Sequence, residues 1–158
     1  MNYKETLEYI HSIPKFNRVL GNALLEKLLN KMGNPQDNLK FIHIGGTNGK
    51  GSTCTMVSQI LTEAGYKTGL FTSPFLKFFN ERIKINGIPI SNSDLADIAS
   101  YVKNMTEKYD AFVSEFAFDT AVAFEYFNRQ NCDFVILEVG LGGKLDATNI
   151  IKNPLVVG

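Results

Sequence analysis

Between Gly45 and Thr53 the chain reads GGTNGKGST, four glycines, three hydroxyl side chains and one lysine within nine residues. Closely spaced glycines let a backbone fold around a ligand and turn several N–H groups inward. The natural guest of such a loop is a phosphate, above all where a helix follows and adds the positive end of its dipole. Lys50 offers a compact, mobile cation to terminal phosphates. Ser52 or Thr53 offers a hydroxyl to a phosphate or to magnesium.

Two elements must position this loop. An apolar stretch, Phe41 to Ile44, precedes it and reads as a strand. After it Cys54, Val57, Ile60, Leu61 and Ala64 recur at helical spacing, which predicts a helix with these five residues on one face. The strict phosphate-loop pattern fails twice, because Gly51 stands where Ser or Thr directly follows the lysine and Ile44 stands at the upstream glycine position. A second feature lies far along the chain. Asp133 to Val139, DFVILEV, is the nearly continuous apolar run of a strand covered on both faces, and one acid, Glu138, interrupts it near its C-terminal end. Ligands of open α/β sheets sit outside those strand ends, so Glu138 is expected to face the same crevice as the glycine loop, within reach of a nucleotide's magnesium.

The remaining elements form a frame for this pair. Asn22 is expected to cap a helix carrying Leu24, Leu25, Leu28, Leu29 and Met32, which Gly33 and Pro35 end. Lys67 to Thr72 reads as the strand that completes a right-handed βαβ unit. Arg82 to Ile90 carries Asn86-Gly87 between alternating isoleucines, the signal of a hairpin with a type I′ turn. Ser91 opens a helix to about Tyr109, and Ser114 to Gln130 is a largely apolar helix with Phe116, Phe124 and Phe127 directed to the core. Leu155 to Val157 starts a further strand, and the chain is expected to stop mid-pattern. The fold class that results is α/β, a P-loop-type, mostly parallel sheet flanked by helices with a small β-hairpin.

Composition narrows the partners. The 158 residues suit one domain, and 44% hydrophobic content supports a substantial core. Sixteen basic residues match sixteen acidic ones, so nucleic acid has no electrostatic footprint here. No stretch of about 18 uncharged apolar residues occurs, and the charged start MNYKETLEYI does not read as an export signal. A cytoplasmic protein without a membrane partner is expected. Cys54 and Cys132 lack metal-type spacing and read as core thiols.

The run GTNGKGS resembles the folate branch of the Mur ligase superfamily, folylpolyglutamate synthase and dihydrofolate synthase. Leu70 to Ser91, Leu137 to Ile151 and Gly33 to Gln36 resemble further segments of that family in the same order. The resemblance implies an ATP-dependent ligase that joins glutamate to a pteroate or folate carboxylate through an acyl phosphate. It further implies that Thr47, Asn48, Gly49, Lys50, Gly51 and Ser52 hold ATP, with Lys50 acting in catalysis, and that Ser73 and Glu138 hold magnesium. Ser114, Phe75, Leu145 and Asp146 would line the substrate site, with Asn149 shaping it. Small molecules are then the partners, and a full-length relative is expected to be a monomer.

Two departures qualify the resemblance. Ala117 stands where members commonly carry a glutamate, and Ala23 and Leu24 replace the usual acidic and basic followers of Leu20-Gly21-Asn22. Family members are also far longer, which makes residues 1–158 the N-terminal portion of the ATP-binding domain, without the C-terminal glutamate-binding domain and inactive alone. Outside this family, a P-loop kinase or NTPase and a non-catalytic nucleotide-binding fragment would each keep the loop and Glu138.

Overall fold

The computed structural model describes residues 1–17, 21–140 and 145–158. Six strands form one sheet: β1 (Phe41–Ile44), β2 (Thr68–Phe71), β3 (Ile83–Ile85), β4 (Ile88–Pro89), β5 (Phe134–Glu138) and β6 (Val156–Val157), in the spatial order β4-β3-β2-β5-β1-β6. β2, β5, β1 and β6 are parallel neighbours, whereas β3 and β4 continue the sheet antiparallel from β2. β2 does not pair with β1: β5 lies between them, so the crossover from the first strand spans one strand position.

Five α-helices accompany the sheet: α1 (Tyr3–Ser12), α2 (Ala23–Lys31), α3 (Lys50–Glu63), α4 (Asn92–Lys108) and α5 (Glu115–Arg129). The alternation of side chains along a strand sends Val135 and Leu137 to one face and Ile136 to the other. The first face carries the main core, where α5 lies with every residue from Ala117 to Phe127 buried. A helix apolar all round must be enclosed, and α1, α2 and α4 pack around α5. Close approach there demands a glycine in β2: a Cβ on Gly69 would stand 2.7 Å from Cδ1 of Phe127.

The second face is thinner. Ile44, Cys54, Leu70 and Ile136 form a separate small cluster beneath α3, with Val57 and Leu61 half-buried beside it. Here the expected helix face is corrected. Ile60 is 66% exposed and Ala64 is exposed, while Ser58 is buried with Cys54. A single helix laid over a sheet buries only a narrow seam, and residues 54, 57, 58 and 61 fill it; positions 60 and 64 fall on its flank.

Other expectations are met with local differences. Asn86 and Gly87 have φ of 50° and 77°, as a type I′ turn requires. The Asn86 side chain accepts the Thr68 N–H at 2.8 Å and the Asn86 N–H reaches the Thr68 carbonyl at 2.9 Å, which fastens the hairpin to β2. Ser91 caps α4 by accepting the Asp94 N–H. Asn22 occupies the position before α2, but its side chain makes no cap; it donates instead to the Asp146 carbonyl at 2.9 Å. α1 went unread in the sequence, although Asn2 and Glu5 carry its signal. Each side chain accepts the other's backbone N–H, a reciprocal capping box.

Candidate functional site

The glycine loop emerges from β1 at the C-terminal edge of the parallel strands. Gly46 and Gly49 have φ of 135° and 76°, conformations that side chains resist, and Gly49 immediately precedes α3. No side chain caps α3, so the N–H groups of its first turn face the loop's concavity without a protein acceptor supplied by a cap. Residues Thr47, Asn48, Gly49 and Ser52 are exposed. The Lys50 ammonium arches back over its own loop and donates to the Gly46 carbonyl at 2.9 Å.

Glu138 closes β5 beside this loop and is only 5% exposed. Its Oε2 accepts the Ser73 backbone N–H at 2.8 Å, and its Oε1 lies 3.6 Å from where a Gly51 Cβ would stand. The acid therefore sits between the phosphate loop and the segment that follows β2, rather than emerging into water. Ser73 precedes Pro74 through a cis peptide bond.

Lys50, Ser73, Ser114, Phe116, Leu145 and Asp146 share the wall of one cavity of about 680 Å³. Ser114 also caps α5, its Oγ accepting the Ala117 N–H at 3.4 Å, and Ala117 itself lines the cavity. Leu145 stands on the rim, 62% exposed. Phe75 lies elsewhere. It lines an adjoining chamber of about 570 Å³ with His11, Lys15, Arg82, Phe116 and Asp119, because its ring packs on Phe79 and the Arg82 guanidinium, with centroid distances of 6.0 and 5.1 Å. Lys15, Arg82 and Phe116 line both spaces, so the two are neighbours across one wall.

Asp146 is buried and works as a brace. Its Oδ1 accepts the Gly140 N–H at 3.0 Å, and its Oδ2 accepts the Thr148 N–H and hydroxyl. The Thr148 hydroxyl also meets Nε2 of His43 at 2.8 Å, which joins β1 to the turn after β5. Burial lowers the His43 pKa, and the nearby Asp146 charge partly opposes that shift. His43 was not singled out in the sequence; its one signal is a polar residue inside FIHI. Residues 141–144 lie outside the described residues. Asn149 is exposed, and its N–H donates to the Asp146 carbonyl.

Gly140 marks the tightest point of the cavity wall. A Cβ there would meet Cζ of Phe116 at 2.6 Å and Oδ1 of Asp146 at 3.1 Å, and the Phe116 ring is stacked on Phe71. Gly140→Ala is expected to destabilise the fold by about 1 to 3 kcal/mol through overpacking. Thermal unfolding of the two proteins checks this, and an unchanged midpoint would contradict it.

A second pair escaped the sequence reading entirely. Asp119 of α5 is 1% exposed, and its Oδ2 lies 3.8 Å from Nε of Arg82. Among the described residues neither Asp119 oxygen has a hydrogen-bond partner, nor do Nε and Nη1 of Arg82. Burial pushes the Asp119 carboxyl up to about 8, against the pull of Arg82 and with a further push from Glu115.

A parallel sheet whose first strand runs through a glycine loop into a helix, with an acid ending the adjacent strand, defines a P-loop-type α/β domain. No protein-family model matches the chain. It is 40% identical over 161 residues to folylpolyglutamate synthase of Lacticaseibacillus casei, covering 99% of this chain and 37% of that protein. It is 40% identical over 160 residues to the dihydrofolate synthase/folylpolyglutamate synthase of Bacillus subtilis, covering 98% of this chain and 37% of that one. A solved folylpolyglutamate synthase complex with AMPPCP and folate superposes with a TM-score of 0.93 at 40% identity, over 99% of this chain and 39% of that one. The chain belongs to the folylpolyglutamate synthase/dihydrofolate synthase family, matching an N-terminal part of its members. It spans a little over a third of the length of these relatives.

Proposed function

We propose that this chain carries the ATP-binding and pterin-binding parts of an ATP-dependent ligase that adds L-glutamate to dihydropteroate or a folate. The observation that carries the reading is the convergence of Lys50, Ser73 and Glu138 at one strand edge, opening into the cavity walled by Ser114 and Asp146. Relatives named for this activity, and the AMPPCP and folate held by one of them, support it. In this reading residues 1–158 are the N-terminal portion of the ATP-binding domain, in a cytoplasmic protein that acts as a monomer. Glutamate capture belongs to the part of the relatives that this chain does not match.

Thr47 to Ser52 would wrap the phosphates with backbone N–H groups, and Lys50 would leave the Gly46 carbonyl for the γ-phosphate. The substrate carboxylate, lying in the cavity, attacks that phosphorus; the bond to ADP breaks and an acyl phosphate forms. The glutamate amine then attacks the acyl carbon, phosphate leaves with the bonding electrons, and the amine loses a proton to give the amide. Lys50 and the loop amides stabilise charge that builds on the transferring oxygens. Ser114, Phe116, Leu145 and Asp146 orient the pterin end, and Phe75 acts from the adjoining chamber.

Magnesium fits the donor set. Among the described residues no three His, Cys, Asp or Glu side chains converge, so no all-protein cage exists. Magnesium commonly takes one or two carboxylates with phosphate oxygens and water. Glu138 Oε1 and the Ser73 hydroxyl are the groups that would hold it, where it would neutralise phosphate charge. The test is a calorimetric titration of ATP at graded magnesium. Glu138→Gln should fold and should lose much of the magnesium dependence, because a neutral amide is a weaker ligand for a hard cation. Superimposable magnesium dependence in the two proteins would overturn the assignment.

A further inference from the structure

The segment from Ser73 to Arg82 is a self-contained lobe. The Glu81 carboxylate gathers the backbone N–H groups of Leu76, Lys77 and Phe78. The Arg82 guanidinium lies under the rings of Phe75 and Phe79 at 5.1 and 5.6 Å, and the Arg82 carbonyl accepts the Thr72 N–H where β2 ends. Leu76 and Phe78 are exposed, so little apolar burial fixes the lobe's tip. It is tied to the body through the Phe79, Asn80 and Arg82 side chains, Asn80 accepting from the Tyr3 hydroxyl and donating to the Ile90 carbonyl, and through the Ser73 N–H on Glu138; beneath Arg82 stands Asp119.

A buried carboxyl facing a guanidinium at 3.8 Å, with no hydrogen bond between them, is a poor means of stabilising a fold, since removing both from water costs more than a loose pair returns. Their value lies in where they are. We propose that Asp119 is a positioning residue: through Arg82 it holds the lobe Ser73–Arg82 against α5, and with it Ser73 and Phe75 at the two cavities. The functional meaning rests on the proposed roles of Ser73 and Phe75, while the positioning itself does not. The groups facing this carboxyl are His11 of α1, Lys15, Arg82 and Glu115 of α5.

The experiment is limited tryptic cleavage after the exposed Lys77 in the full chain without nucleotide, with rates divided by those of a peptide of the same local sequence. Asp119→Leu and Asp119→Asn should be cut about tenfold faster than wild type at pH 9, a local opening effect. Thermal stability of Asp119→Asn should change little, because the amide nearly matches the carboxyl in shape and, among the described residues, no hydrogen bond of the carboxyl is lost. A residue with only a structural part would move stability and cleavage together. Wild-type cleavage rates in Asp119→Asn at pH 9 would overturn the proposal. If Asp119→Leu does not fold, the near-isosteric Asp119→Asn decides alone. Because no ATP is present, failure here is separable from failure of the nucleotide reading.

Discussion

Lys50→Ala is expected to weaken ATP binding by about tenfold to a hundredfold, the equivalent of roughly 1.5 to 3 kcal/mol for a lost charge-assisted contact. The fold should survive, because among the described residues the one hydrogen bond that Nζ makes is to Gly46 of its own loop. That bond also explains why the lysine is available. An ammonium held by a single carbonyl at a half-exposed position exchanges that partner for phosphate oxygens at small cost, and the loop's N–H groups are unaffected by the truncation. Isothermal titration of ATP into both proteins, each shown folded by circular dichroism, checks the expectation. Equal affinities would remove Lys50 from the nucleotide site.

Stability should fall as pH rises between about 6.5 and 8, and Asp119→Asn should flatten that fall. The Asp119 carboxyl is raised from 3.8 to about 8 in the folded protein, so over this interval the folded state keeps a proton that the unfolded chain has released. Its contribution is complete below the unfolded value and disappears as pH passes through the folded one, with a slope of up to about 1.4 kcal/mol per pH unit. His43 acts in the opposite sense. Its lowered pKa makes the fold gain stability as pH rises towards 6.5, so the interval above that value isolates Asp119. The cysteine thiols, raised from 9.0 to about 12 and about 11, affect stability only at higher pH. Denaturant midpoints at pH 6.5, 7.25 and 8 measure the effect, the three values being spaced about evenly across the window set by the linkage relation. A wild-type midpoint that does not fall across that window would contradict it.

The parts of the molecule that were legible in the sequence are those governed by neighbours along the chain. Glycine spacing announced the loop, Asn86-Gly87 the turn, and the interrupted apolar run placed Glu138 at a strand end. Lys50, Ser73, Ser114, Leu145 and Asp146, far apart in the chain, line one cavity. What stayed hidden depends on partners far apart in sequence. Asn22 looks like any helix cap until Asp146 is brought against it, and Phe75 looks like a pocket residue until Phe79 and Arg82 turn its ring into the next chamber. Asp119 lies in an apolar helix, and only the fold reveals that Arg82 is beneath it. Ile60 and Ala64 obey helical period, yet period alone does not say how wide a stripe the sheet covers.

The two free, buried cysteines lie on different sides of the sheet: Cys54 belongs to the small cluster under α3, and Cys132 to the main core at the entrance to β5. Both thiols are held far from ionisation, so a thiol-reactive dye reaches neither while the native packing is closed. Each cysteine is therefore a built-in stopwatch for the opening of its own layer. The layer under α3 rests on four buried residues, so Cys54 should be labelled well before Cys132 under native conditions. Peptide mapping after timed quenching reads the two rates separately, and simultaneous labelling would mean that both sides of the sheet open as one unit.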